Sequence, residues 1–106
     1  MTEEHVGAVF AALADPTRRQ VVQSLSTGST VTASRLALEL PMTRQAVAKH
    51  LAALEGAGLV AGRRVGREHR YRPSPAPLAE AAQWMARVGG EWDARLGRLG
   101  AATKRP

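Results

Sequence analysis

Apolar positions in the first half of the chain recur at helical spacing and are divided into short blocks by capping residues. Val6, Val9, Phe10 and Leu13 stand at i, i+3, i+4 and i+7, one apolar stripe on a helix from about Glu3 to Leu13. Thr2 is placed to cap it, and Glu3 and Glu4 occupy the first turn, where the positive end of the helix favours carboxylates. Asp15-Pro16 restarts the chain as an N-cap followed by proline at the first helical position. A second helix then reaches about Leu25, burying Val21, Val22 and Leu25, and the turn-forming run from Ser26 to Thr30 ends it. Thr32 caps a third helix, Ala33 to Leu40, with Leu36 and Leu40 inward and Pro41 as its stop. Thr43 caps a fourth, Arg44 to about Ala57, whose buried stripe is Val47, Leu51 and Leu54. Met42 before the cap and Val47 at the fourth helical position form a hydrophobic staple, which would fix the angle between the third and fourth helices.

After Gly58 the period changes. Leu59 to Arg64 and Glu68 to Arg72 are short extended runs around Val65-Gly66-Arg67, the pattern of a β-hairpin with a glycine turn. Tyr71 and Val65 are expected to pack on the domain, and Gly56, Gly58, Gly62 and Gly66 read as turn punctuation. Pro73-Ser74-Pro75 breaks the strand and begins a long fifth helix, Pro75 to Leu99, which Gly89-Gly90 interrupts. Leu78, Met85, Trp92 and Leu99 recur every seven residues along it, with Ala81, Val88 and Leu96 near the intervening seam. A single short helix cannot bury such a stripe within its own domain, so a second copy is the expected cover. The predicted fold is mainly α with a small β-hairpin, in the order α-α-α-α-β-β-α and dimeric. One domain spans residues 1–100, and residues 101–106 form a frayed basic tail.

At 106 residues there is room for one domain with a modest core. Cysteine is absent, which removes disulfides, thiolate metal sites and cysteine nucleophiles together. No apolar run approaches the roughly 18 residues needed to span a bilayer, and the acidic start Met1-Thr2-Glu3-Glu4 is unlike a secretory signal, so a cytoplasmic protein without a membrane partner is expected. No phosphate-cradling glycine loop and no nucleophile–base signature points to an enzyme.

Charge changes the picture more. Fifteen Lys and Arg against nine Asp and Glu give a net charge of +6, and thirteen of the fifteen are Arg. Arg44 to Arg72 holds seven basic and two acidic residues, whereas the first seventeen residues hold three acidic and no basic ones. A basic middle behind an acidic start aims one surface at a polyanion. Two short helices joined by a tight turn form a helix-turn-helix, whose second helix enters the major groove of DNA. Here that helix opens with Thr43 and turns Arg44, Gln45, Ala48 and Lys49 away from its buried stripe. Arg can fork onto guanine, Gln can pair with adenine, and alanine lets the backbone come close. His50 flanks the stripe, either on a phosphate or at the core edge. The hairpin carries Arg63, Arg64, Arg67, Arg70 and Arg72 with only Glu68, more charge than protecting a sheet edge from aggregation requires, so Arg63, Arg64, Arg67 and Arg70 are expected to lie on phosphates or reach into an adjacent minor groove. Aromatic residues make up only 4%, too few for a base-stacking platform, so the expected partner is double-stranded DNA.

The segments Ala11 to Arg19, Arg44 to Leu51, Leu54 to Val60 and Gly66 to Arg72, in this order and spacing, resemble the ArsR-type (arsenic-repressor-like) winged-helix regulators from about Phe10 to Leu99. The resemblance implies repression from operator DNA by a homodimer whose first and last helices form the interface. The residues concerned would be Val6, Phe10, Leu78, Trp84, Met85, Val88, Trp92, Leu96 and Leu99. The two tryptophans are then interface anchors, with intradomain packing as the alternative. Metal-sensing members carry a Cys-x-Cys pair where this chain has Thr32 and Ser34, which do not bind soft metals. Others use histidine on the last helix, which here offers Glu80, Glu91 and Asp93 only, while His5, His50 and His69 are scattered. No metal site, cofactor or small-molecule effector is read from these residues. A winged-helix module that binds protein rather than DNA, and a nonspecific architectural DNA binder, stand as alternatives to the repressor.

Overall fold

The computed structural model describes residues 3–25 and 29–103. Seven elements follow in the expected order: α1 (Glu3–Leu13), α2 (Pro16–Ser24), α3 (Ala33–Ala37), α4 (Arg44–Gly56), β1 (Val60–Val65), β2 (Glu68–Pro73) and α5 (Ala76–Thr103). The cap expected at Thr2, the turn at Ser26–Gly28 and the end of the tail at Lys104–Pro106 lie outside the described residues.

The joint between α1 and α2 is built from one short motif. Asp15 caps α2, its Oδ1 accepting from the backbone N–H groups of Thr17 at 2.8 Å and Arg18 at 3.3 Å. Arg18 and Arg19 reach back to the end of α1. Arg18 donates to the Ala12 carbonyl at 3.2 Å, and Arg19 donates to those of Leu13 and Ala14. These carbonyls have no partner within α1 itself, so the two arginines satisfy a helix end and complement its negative pole.

Helix α3 is shorter than its apolar pattern predicts. Beyond Ala37 the chain tightens, with Glu39 and Leu40 N–H both donating to the Leu36 carbonyl. Pro41 is the cause, because it drives the preceding residue out of the helical region. Thr32 and Thr43 cap α3 and α4, accepting from Arg35 N–H and Ala46 N–H at 3.1 Å each. Helix α4 ends in a Schellman motif. Gly58 takes φ +78°, its N–H donates to Glu55 O at 2.9 Å, and Leu59 N–H donates to Leu54 O at 2.9 Å. Leu54 and Leu59 both lie in the core, closing the motif's apolar contact.

Strands β1 and β2 pair antiparallel with Val60 opposite Pro73, Gly62 opposite Tyr71 and Val65 opposite Glu68. Val65 belongs to the ladder rather than to the turn, which is therefore two residues, with Gly66 at φ +64° in its first position. One further pairing holds the hairpin on the body. Val31, just before α3, exchanges both backbone hydrogen bonds with Tyr71, at 2.9 and 2.8 Å.

The core gathers Val9 and Ala12 of α1, Val21 of α2, Leu36 of α3, Val47, Leu51 and Leu54 of α4, then Leu59, Val60, Tyr71 and Ala81. Met42, Val22, Leu25 and Leu40 pack against it half-buried. No charged or polar side chain is buried among the described residues. Helix α5 runs unbroken through Gly89-Gly90 and past Leu99 to Thr103, so the glycine pair does not interrupt it. Its 28 residues span about 42 Å. It packs on α1 near its start and then leaves the body, which draws the molecule out to 70 × 29 × 21 Å. Among the described residues, no helix is long and apolar enough to cross a membrane.

Candidate nucleic-acid interface

Core packing of Val47, Leu51 and Leu54 fixes the rotation of α4. That rotation leaves Arg44, Gln45 and Lys49 exposed and Ala48 half-buried on the far side. Thr43 is exposed, but its Oγ1 serves as the cap of the helix. Arg44, Gln45 and Ala48 form one wall of an open cleft of about 390 Å³. The start of α3 supplies a second side through Thr32, Ala33 and Ser34, and the hairpin supplies the third through Arg67, Glu68, His69 and Tyr71. An arginine and an amide side chain thus meet a wing-tip arginine across a concave surface that an alanine keeps low.

The contributions of α3 and His69 to this cleft were not read from the sequence. The Val31–Tyr71 pairing creates them, because it pulls the start of α3 against β2. The two positions where metal-sensing relatives would carry cysteine, Thr32 and Ser34, therefore lie in the cleft beside α4. Among the described residues no group of three histidine, cysteine or carboxylate side chains is placed to hold a metal ion.

On the hairpin Arg63, Arg64 and Arg67 are exposed, whereas Arg70 is half-buried and engaged. Its Nε and a terminal nitrogen both donate to Glu68 Oε1, at 3.0 and 2.8 Å. Arg70 also stands directly opposite Arg63 in the ladder, a like-charge pairing that the Glu68 carboxylate offsets. His50 is half-buried and is not part of the cleft. Its charge is the smallest of the causes that lower the pKa of Asp15.

Gly62 is not a turn residue. It sits within β1, and a Cβ there would lie 2.6 Å from His69 Nε2, 2.9 Å from Glu55 Oε2 and 3.0 Å from Tyr71 Cε1. His69 stacks on Tyr71 with ring centroids 4.4 Å apart, and the Tyr71 hydroxyl lies 3.3 Å from His69 Nδ1. Burial raises the Tyr71 pKa above its ordinary value, with the Glu55 charge acting in the same direction, so the phenol stays neutral.

The second surface lies along α1 and α5. Leu78, Met85, Trp92, Leu96 and Leu99 are exposed, and Trp92 is 60% accessible. Trp84, Val88 and their exposed neighbours line a shallow concavity of about 410 Å³. Trp84 is half-buried and meets Phe10 of α1 edge to face, with centroids 5.6 Å apart. Val6 is buried within the protomer at 5% exposure, so it presents no surface of its own to a partner.

Known proteins share this sequence and arrangement. A helix-turn-helix domain family matches residues 13–63, from the end of α1 into β1. The HTH-type transcriptional regulator CmtR of Mycobacterium tuberculosis is 36% identical over 88 residues, covering 83% of this chain and 74% of its own length. An ArsR-like transcriptional regulator from Rhodococcus superposes with a TM-score of 0.83 at 42% identity, over 98% of this chain and 97% of its own. The homodimeric winged helix-turn-helix DNA-binding domain Mb0332 of Mycobacterium bovis superposes at 0.61 with 28% identity, over 85% and 80% of the two chains. With the helix pair, the wing and the long last helix all matched in order, this chain belongs to the ArsR-like family of helix-turn-helix transcriptional regulators.

Proposed function

We propose that the protein is a sequence-specific repressor that grips duplex DNA as a homodimer in the cytoplasm and performs no chemical step. The observation that carries this reading is the cleft in which Arg44 and Gln45 of α4 share a concave surface with Arg67 of the wing tip. Helix α4 lies in the major groove, where Arg44 and Gln45 read base edges and Ala48 allows close approach. Lys49, Arg63, Arg64 and Arg67 contact phosphates, holding the register without reading sequence.

The dimer is supported by the exposed apolar seam on α5 and by the homodimeric relative from Mycobacterium bovis. Two-fold symmetry gives a palindromic operator with half-sites about 34 Å apart. Repression follows from occupying promoter DNA. Thr32 and Ser34, in place of thiolates, support a regulator that does not respond to soft metals through that position.

Fluorescence-anisotropy titration of the DNA upstream of the protein's own gene, beside a scrambled duplex and across several salt concentrations, tests the reading. Tight, salt-sensitive binding with a strong preference for the native duplex is expected. Equal affinity for both duplexes would favour an architectural role, and no affinity for either would favour a protein-binding module.

A further inference from the structure

Glu68 is the only acidic residue between Leu59 and Pro73, a segment with five arginines. It stands at the boundary of two concave surfaces. One is the cleft that Arg44 and Gln45 line. The other, about 400 Å³, is lined by Ser29, Thr30, Thr32, Arg35, Glu39 and Arg70. The Glu68 carboxylate holds the Arg70 guanidinium by two hydrogen bonds to one oxygen, a charge-assisted arrangement with N–O distances of 3.0 and 2.8 Å. Both side chains remain partly open to solvent, at 54% for Glu68 and 43% for Arg70, so the pair is exchangeable with an incoming anion.

The Glu68 carboxylate takes two of the five guanidinium N–H donors of Arg70 and offsets its charge, so a phosphate approaching Arg70 meets a carboxylate beside it. Resting on the DNA-binding reading above, we propose that Glu68 is a positioning residue that withholds Arg70 from the phosphate backbone. It limits how many sequence-independent contacts the wing makes. Arg67, Arg63 and Arg64 engage DNA, and Arg70 stays with Glu68. Because phosphate contacts supply nearly all affinity for non-operator DNA, withholding one shortens the time spent there.

The test is anisotropy titration of the full chain against the upstream and scrambled duplexes from about 50 to about 200 mM salt. Glu68→Gln keeps the shape and removes the charge. It is expected to raise affinity for both duplexes, by roughly 3–10-fold at the low-salt end, and to steepen the log–log salt slope by about 1.8, the signature of one added phosphate contact from each protomer of the dimer. Arg70→Ala alone is expected to change affinity little. In the Arg70→Ala background, Glu68→Gln is expected to lose most of its gain. A purely structural role for Glu68 would shift stability and leave the salt slope in place. The proposal is overturned if Glu68→Gln changes neither affinity nor slope. It is equally overturned if the gain is the same with and without Arg70, or if affinity for the native duplex alone falls, which would make Glu68 a reader of bases. A wild-type chain that binds neither duplex removes the DNA-binding reading together with this one, whereas wild-type binding with an inert Glu68→Gln removes only the role of Glu68.

Discussion

The carboxylate of Glu55, in the last turns of α4, accepts a hydrogen bond from the backbone N–H of Gly62 in β1, with 3.1 Å between Oε2 and the amide nitrogen. The contact ties the end of α4 to the strand that carries Arg63 and Arg64. Together with the Val31–Tyr71 pairing it sets how far the wing stands from α4. The width of the cleft is thus held at two places, one on each strand of the hairpin.

Gly62→Ala checks that close approach. The added Cβ would meet the imidazole, the carboxylate and the phenol ring at 2.6–3.0 Å, so at least one must move. His69 and Glu55 present the ends of exposed side chains and can swing aside, so a loss of about 1 kcal/mol or less is expected, set largely by the buried Tyr71 ring. The loss should shrink in a His69→Ala background, which removes the nearest atom. Urea unfolding of the four proteins measures the cycle. Identical losses in both backgrounds would show that His69 does not crowd this position.

Asp15 gives a pH-dependent prediction. The hydrogen bond from Arg18 N–H is the largest cause holding its pKa below the ordinary carboxylate value. Burial opposes it, and the Thr17 N–H and the charges of Arg18 and His50 add to it. Since the unfolded chain takes up this proton first as pH falls, the stabilisation is complete above the ordinary carboxylate value. It is lost as pH drops through the lower, folded-state value. Asp15→Asn keeps a capping oxygen and removes the titration. Its stability should therefore decline less than that of the wild type as pH falls from above the ordinary carboxylate range to below it. Urea midpoints that fall in parallel for the two proteins would contradict this.

Much of this architecture was legible because its signals are local. Thr32, Thr43 and Asp15 each cap the helix that follows them, and Gly58 adopts the left-handed conformation that ends α4. The features missed are contacts between residues distant in sequence. The Val31–Tyr71 pairing spans forty positions, and it brings Thr32, Ser34 and His69 to the cleft. Gly62 looks like a turn glycine in sequence, and only the approach of Glu55 and His69 from α4 and β2 shows why it lacks a side chain. For α3 the apolar pattern extended to Leu40, but Pro41 outweighed it at the helix end. In α5, packing on α1 and good helix formers on both sides outweighed the Gly89-Gly90 pair.

Arg44 and Arg67 should separate base reading from phosphate contact. Arg44 stands in the first turn of α4, where side chains of a groove-bound helix reach base edges. Arg44→Ala is expected to cost about 1–3 kcal/mol on the native duplex and to blur base preference. Arg67 is exposed at the hairpin turn, and its replacement by alanine should weaken native and scrambled duplexes alike and flatten the salt slope by about 1.8, one lost phosphate contact from each protomer. Competition anisotropy with single-base variants of the native duplex measures both. Unchanged operator affinity in Arg44→Ala would take α4 out of the groove.

The two tryptophans of α5 should fail differently when truncated. Trp84 is half-buried against Phe10 of the same chain, so Trp84→Ala removes packing within the protomer. A loss of roughly 1–3 kcal/mol is expected, below the about 3–5 kcal/mol of a fully buried tryptophan. Trp92 lies two turns further on, where α5 has left the body and the residues around it are exposed. In the proposed dimer its ring is covered by a second copy, so Trp92→Ala should leave the protomer folded and move the monomer–dimer equilibrium towards monomer. Sedimentation over a dilution series reads that equilibrium directly, and circular dichroism at each dilution reports whether the monomer keeps its helices. Because unfolding of a dimer depends on concentration, the two variants should also differ in the thermal scan. Trp84→Ala lowers the midpoint at every concentration, and Trp92→Ala weakens its concentration dependence. An undiminished dimer mass for Trp92→Ala at the lowest concentration would place the interface elsewhere than the exposed seam of α5.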